Sequence, residues 1–227
     1  MGNEYCSRVD LSEQQIDLHF VKKIQWNYSL VLQHFEGKDE RIAHLMQKTG
    51  RINFYLPEDY YLALCRSIIG QQVSTKAAQS IYQRLLDAHS CQLVPEHLAQ
   101  RKVEDLRPLG LSQQKASYLI DLSNHFVRDR QRFYHLETLS DEEVMKSLVE
   151  IKGIGNWTAQ MFLMFTLGRL DVFAPDDLGL KNAMVRLYGW RKPPDKKKLV
   201  RQSEKWAPYK SIACRYLWIS LNDSPGK

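Results

Sequence analysis

The sequence is poor in the features that mark several large classes of protein. It has only four cysteines, Cys6, Cys65, Cys91 and Cys214, and they lie far apart. No CxxC pair and no iron–sulfur or zinc spacing occurs, so a cysteine-bound cluster is not expected. Cys65 and Cys214 stand among apolar neighbours and read as small core residues, a usage that fits a reducing intracellular compartment. Apolar runs are short: Met161 to Phe165 is among the longest, far below the roughly 20 residues that cross a bilayer. The N-terminal MGNEYCSRVDLSEQQ lacks the basic-then-apolar layout of a secretory signal. Membrane and secreted readings are therefore poor. Strand-like alternation is confined to Arg51 to Leu56, too short to build a sheet alone. No low-complexity tract and no fixed-period repeat is present.

What remains is a helical pattern with a basic surplus. The 227 residues are 44% apolar, enough for a real core in one compact domain or two small lobes. The net charge of +6 favours a polyanionic partner without identifying it. Ser74 can cap the helix from Thr75, with Ala77, Ala78, Ile81, Leu85 and Leu86 on one face. Ser112 can cap a second, carrying Leu119, Ile120 and Phe126. Ser140 with Glu143 forms a capping-box pattern ahead of Val144, Leu148 and Ile151. Further helices are expected near 12–22, 39–48, 58–69, 156–167, 177–188, 196–206 and 209–221, about ten in all. Breakers at Gly50, Pro57, Gly70, Pro95, Pro108, Gly153, Gly155, Gly168, Pro175 and Pro193 separate them. The cluster RKPPDKKK at 191–198 reads as a solvated loop leading into a helix.

One segment is more informative than the rest. From Leu148 to Ala159 an apolar helix face ends at Ile151, Gly153 and Gly155 bracket Ile154, and a second helix begins near Asn156. Two glycines permit a sharp turn and remove the Cβ atoms that would bar close approach of another backbone. The first amides of the second helix then form an anion site, suited to a nucleic-acid phosphate without reading sequence. An ordinary turn between helices with a glycine cap is the plainer alternative.

This L-x-x-I-x-G-I-G-x-W-T-A pattern resembles the helix-hairpin-helix signature of the base-excision DNA glycosylase superfamily, whose members carry an essential Asp about twenty residues on. Asp171 to Gly179, with Pro175 before Asp176 and Asp177, supplies it. The family most similar is DNA-3-methyladenine glycosylase II. Ile69 to Ser74 with Lys76, the hairpin-to-Asp177 block, and Trp206 to Ser211 leading to Trp218 carry the likeness, over roughly residues 58–221. The N-terminal β domain of some members finds no matching pattern, so a compact form is expected.

The resemblance implies an all-α fold of two helical lobes with the active-site cleft between them. Residues 59–170 would form the central lobe, ending in the hairpin at 148–160. Residues 1–58 plus 171–227 would form the second, carrying the catalytic Asp. It further implies a monofunctional enzyme that flips out and hydrolyses alkylated purines of the 3-methyladenine and 7-methylguanine type from double-stranded DNA, leaving an abasic site. Asp177 is then the catalytic carboxylate, at a helix N-terminus whose dipole suits a negative charge. Asp176 reads as the helix cap. Trp157 stands where backbone-cutting relatives have a Schiff-base lysine, so no AP-lyase activity is expected. Trp157, Trp218 and Met161 would line the base pocket. Lys152, Gly153, Ile154, Gly155 and Thr158 would hold the DNA backbone. Gln71, Gln72 and Val73 would probe the vacated stack, with Gln72 as the wedge by alignment. The carbonyls of Val149, Ile151 and Ile154 correspond to a structural Na+ or K+ site, with no required cofactor and no iron–sulfur cluster. A monomer is implied, in the cytoplasm or nucleoid of a bacterium or the nucleus of a eukaryote. The rival readings are a noncatalytic hairpin protein that binds damaged DNA, and a glycosylase for another damaged base.

Overall fold

A computed structural model describes residues 21–57 and 59–222. The helix expected at 12–22 lies outside the described residues except at its end, where Val21–Lys23 is a short strand, β1. β1 pairs with β2, Tyr55–Pro57, at the end of the segment that alternates in sequence. The other regular elements among the described residues are helices, joined by loops and short 3-10 turns: α1 (Tyr28–Lys38), α2 (Glu40–Thr49), α3 (Tyr60–Gly70), α4 (Thr75–Asp87), α5 (Pro95–Ala99), α6 (Val103–Leu106), α7 (Gln113–Arg128), α8 (Arg130–Tyr134), α9 (Asp141–Val149), α10 (Asn156–Phe165), α11 (Leu178–Tyr188), α12 (Lys196–Ser203) and α13 (Lys210–Asn222). The described residues thus hold thirteen α-helices, where the sequence pattern indicates nine besides the one at 12–22. α1, α5, α6 and α8 are the additions. No helix among the described residues is long and apolar enough to cross a membrane.

The chain divides into two compact units. Of the described residues, the first holds 21–22 with 57–162 and the second 23–56 with 163–222. Residues 163–170 therefore go with the second unit, not with the central lobe assigned from sequence. The reason is local. Gly168, at φ +71°, lies where a Cβ would press on Ile24 and Leu56 at 2.7 and 2.8 Å, and the Met164 carbonyl accepts from Arg215 of α13.

In the first unit α7 is central, with α3, α5 and α8 packed on it. The three predicted caps are all present: Ser74, Ser112 and Ser140 accept from the amides of Ala77, Lys115 and Glu143. Glu143 returns the bond to the Ser140 amide at 2.8 Å, completing the capping box. Leu64, Ile68, Leu85, Leu119, Leu122, Phe126, Val144 and Leu148 are fully buried. Each such side chain contributes about 1.5–3 kcal/mol by leaving water. Tyr61 reaches into this core with its hydroxyl satisfied by Ser123 at 2.8 Å, as a buried polar group requires.

In the second unit α2 and α11 pack on α13, and α1 packs on α2. Asp39 caps α2 through Oδ1, while its Oδ2 accepts from the Tyr188 hydroxyl, from Gln202 at 2.9 Å and from Trp206 at 2.8 Å. One buried carboxylate thus ties α2 to the ends of α11 and α12 and to the turn at Trp206. Cys65 and Cys214 are buried free thiols, as their neighbours in sequence indicate.

Candidate active site

The hairpin belongs to the first unit. After α9 the chain turns through two short bonds, Ile151 amide to Leu148 carbonyl and Ile154 amide to Ile151 carbonyl, each 3.1 Å. Gly153 sits at φ +85°, and a Cβ there would lie 2.1 Å from the ring of Tyr118 on α7. Backbone and packing both demand glycine at this point. The Lys152 amide donates to Asp121 at 2.9 Å, and the Lys152 ammonium stands 3.6 Å from the same carboxylate, fastening the turn to α7. Gly155 has a different reason. Its φ lies outside the left-handed region, and a Cβ would meet nothing within 4 Å. Exposed glycine backbone here leaves room for another backbone to approach. α10 then opens with the Ala159 amide on the Gly155 carbonyl at 3.0 Å, so the amides of residues 156–158 stand in its first turn, at the positive end of the helix dipole.

Two of the expected backbone-binding residues point inward. Ile154 is buried under the turn, and Thr158 is only 5% exposed. Little of the Thr158 side chain is therefore at the surface. Lys152, Gly155, Asn156 and Trp157 are exposed, Trp157 to 44%. Met161, one turn further, is half-buried.

The loop after α3 is braced against this hairpin. Gln71 donates from its side chain to the Gly153 carbonyl at 2.8 Å, so it is turned inward and is not a free wedge. The Lys115 ammonium donates to the carbonyls of Ile69 and Gln71 at 2.7 and 2.6 Å, closing the end of α3. Burial at this position pushes the Lys115 pKa down. The next two residues project: Gln72 is exposed at φ +56°, and Val73 is 39% exposed.

For the cation set, the donors are three neutral carbonyl oxygens, of Val149, Ile151 and Ile154, with that of Ile151 already accepting one amide. Such donors fit an alkali ion and lack the carboxylates a divalent ion prefers. No group of three or more His, Cys, Asp or Glu that could hold a metal occurs among the described residues.

The second unit holds the carboxylate. Asp177, not Asp176, caps α11, its Oδ1 accepting from the Leu180 amide at 2.7 Å. Asp176 is exposed and pairs with Lys196 at 2.7 Å. The sequence assignment fails by one residue because both aspartates precede the helix, and only the backbone turn decides which one is its cap. The same Oδ1 of Asp177 accepts from the indole nitrogen of Trp218 at 3.0 Å. Two donors on one oxygen fix the plane of a half-buried carboxylate. The loop leading to it is clamped to the start of α13: Ser211 donates to the Val172 carbonyl and accepts from the Val172 amide at 3.0 Å, and its own amide donates to Leu170. Asp171 accepts from both the amide and the ammonium of Lys210. The sequence block from Trp206 to Ser211 thus serves to hold the carboxylate loop.

Two neighbours escape a sequence reading. Phe165, 37% exposed, places its ring 5.5 Å from that of Trp218. Gly179 lies under the pair, where a Cβ would come within 3.1 Å of Asp177 Oδ1 and 3.2 Å of Trp218 Nε1. A glycine in the first turn of a helix, costing up to about 1 kcal/mol against alanine, is the one available hint of that close approach.

A largely helical fold with a glycine hairpin that offers amides to a phosphate, followed some twenty residues later by a tethered carboxylate, has the layout of a helix-hairpin-helix enzyme acting on nucleic acid. Residues 65–209 match the HhH-GPD superfamily of base excision DNA repair proteins, and the chain belongs to that family. It is 32% identical over 194 residues to DNA-3-methyladenine glycosylase 1 of Schizosaccharomyces pombe, covering 82% of this chain and 84% of that one. Among solved structures, a 3-methyladenine DNA glycosylase of the same yeast in complex with abasic DNA superposes with TM-score 0.75 at 30% identity, over 87% of this chain and 99% of that one. A DNA-3-methyladenine glycosidase of Bacillus halodurans gives TM-score 0.77 at 34% identity, over 89% and 93%.

Proposed function

We propose that this chain is a monofunctional DNA glycosylase that extrudes alkylated purines from double-stranded DNA and hydrolyses their glycosidic bond, leaving an abasic site in base excision repair. The carrying observation is Asp177, held at the head of α11 with Trp218 hydrogen-bonded to it. As the bond from C1′ to the base nitrogen breaks, the electron pair leaves with the base and positive charge builds on the sugar. An ionised carboxylate stabilises that charge. Water adds its oxygen to C1′ and gives up a proton, which the same carboxylate can accept. A base already cationic, such as 7-methylguanine, departs neutral and needs no acid. The relatives' names, 3-methyladenine glycosylases in yeast and bacteria, favour the same substrate class.

Trp157 occupies the hairpin position at which a lysine would attack C1′, and an indole forms no Schiff base. The nearby Lys152 ammonium is engaged with Asp121. The chemistry is therefore hydrolysis without strand cleavage. Trp157, Met161 and Trp218 receive the base, with indole faces suited to a cationic purine. Gly153, Gly155, Lys152 and the first amides of α10 hold the DNA backbone. Gln72 and Val73, the projecting pair of their loop, fill the vacated stack, while Gln71 braces them. An Na+ or K+ on the carbonyls of Val149, Ile151 and Ile154 would add positive charge beside the phosphate. The protein acts as a monomer inside the cell.

Incubation with methylated duplex DNA, followed by chromatography of the released bases, tests this reading. Free 3-methyladenine and 7-methylguanine are expected, with no borohydride-trapped protein–DNA adduct. Binding without release rejects the enzyme, and a trapped adduct rejects the hydrolytic mechanism.

A further inference from the structure

Arg215 lies on α13 one turn before Trp218, and the chemistry above does not use it. Its guanidinium carbon sits 4.2 Å from the ring centre of Phe54 and 4.3 Å from that of Phe165, so the planar cation is held between two aromatic faces. One amino group donates to the Met164 carbonyl at 2.8 Å. Among the described residues no carboxylate stands at ion-pair distance from it, and burial pushes its pKa down to about 10. Keeping a cation out of water without a counter-charge is costly. The compensation comes from the two rings and from the end of α10, where carbonyls lack helical partners and the dipole is negative.

What the guanidinium holds is the feature of interest. Phe165, exposed to 37%, is pressed from one side by Arg215 and meets Trp218 at 5.5 Å with the rings tilted by 39°. Trp218 in turn donates to Asp177 at 3.0 Å. Three consecutive contacts, all within the second unit, therefore join the cation to the carboxylate.

We propose that Arg215 is a positioning residue for base excision: it clamps Phe165 against Trp218, and through that contact it holds the indole that orients Asp177. The inference rests on the glycosylase reading. Its effect should appear in the rate of base release, and not in the grip on DNA that has already lost its base. A cation–π contact and an aromatic pair together are worth roughly a tenfold change in rate.

The test is a double-mutant cycle of Arg215→Met and Phe165→Leu, read by single-turnover release of 7-methylguanine at saturating enzyme and by affinity for an abasic-site duplex. Arg215→Met alone is expected to slow release roughly tenfold, with abasic affinity unchanged. In the Phe165→Leu background the same substitution should cost nothing more, because Arg215 acts through that ring. An equal loss in both backgrounds, a parallel loss of abasic affinity, or no loss at all would overturn the role. Arg215→Lys, which keeps the charge but cannot stack on two rings while donating to Met164, gives the same readout if the methionine variant folds poorly. A wild-type protein that releases no methylated base rejects the glycosylase reading itself. An active wild type with an additive cycle rejects only this inference.

Discussion

Gly179→Ala separates stability from catalysis and can be worked from the geometry. Gly179 is the second residue of α11, and its φ is not in the left-handed region. Alanine there gains helix propensity, about 0.5–1 kcal/mol over glycine. Its new Cβ would stand 3.1 Å from Asp177 Oδ1, and 3.2 and 3.3 Å from Nε1 and Cδ1 of Trp218. Those contacts are tight by a few tenths of an ångström, and what must yield is the hydrogen bond between the carboxylate and the indole. The strain returns part of the propensity gain, so net stability should stay within about 1 kcal/mol, or roughly 2–4 °C in melting temperature for a chain of this size. Catalysis responds more steeply. A shift of about 1 Å at a reacting group can cost a hundredfold, so a few tenths should cost roughly threefold to sixfold. Thermal unfolding and single-turnover release of 7-methylguanine, measured on the same preparation, make the comparison. A variant that keeps the full rate would refute the claim that the Asp177–Trp218 geometry limits the reaction. A variant that simply unfolds would refute the packing argument.

The two hairpin glycines should respond in opposite ways. Gly153→Ala combines a left-handed backbone with a Cβ 2.1 Å from the Tyr118 ring, and urea unfolding should show a loss of about 3 kcal/mol or more. Gly155→Ala meets open space; stability should hold within about 0.5 kcal/mol, while DNA affinity falls severalfold in a salt-dependent binding titration. Asp39→Ala removes the acceptor for Tyr188, Gln202 and Trp206 and should cost about 3–5 kcal/mol by urea unfolding, with the first unit's hairpin contacts untouched.

The parts of this structure that sequence makes legible are local. Ser74, Ser112 and Ser140 cap the helices they precede, because a cap is decided within four residues. The hairpin is legible for the same reason: its glycines, its buried Ile154 and the amides of α10 lie within a dozen residues. Even so, the two glycines look alike in sequence and only the fold separates them, one fixed by Tyr118 and the other open. α1 is hard to read in sequence although Asn27 caps it, since it buries only Val31 and Phe35 and carries Gly37 near its end. Asp177 is singled out in sequence by the resemblance, through its spacing from the hairpin. Its neighbours Phe165, Gly179 and Arg215 are not legible in the same way, because they gain their meaning from contacts between α10, α11 and α13 that no local pattern encodes. Gln71 shows the same limit: it lies beside Gln72 in sequence, yet a hydrogen bond to Gly153 turns it inward.

Asp177→Asn is the most direct test. Asparagine keeps an oxygen for the Leu180 amide and the Trp218 indole, so the cap and the fold survive while the charge is lost. Base release from methylated duplex should fall roughly a hundredfold or more, with melting temperature and affinity for abasic-site DNA retained. Release at the wild-type rate would contradict the assignment of that carboxylate to the glycosidic bond.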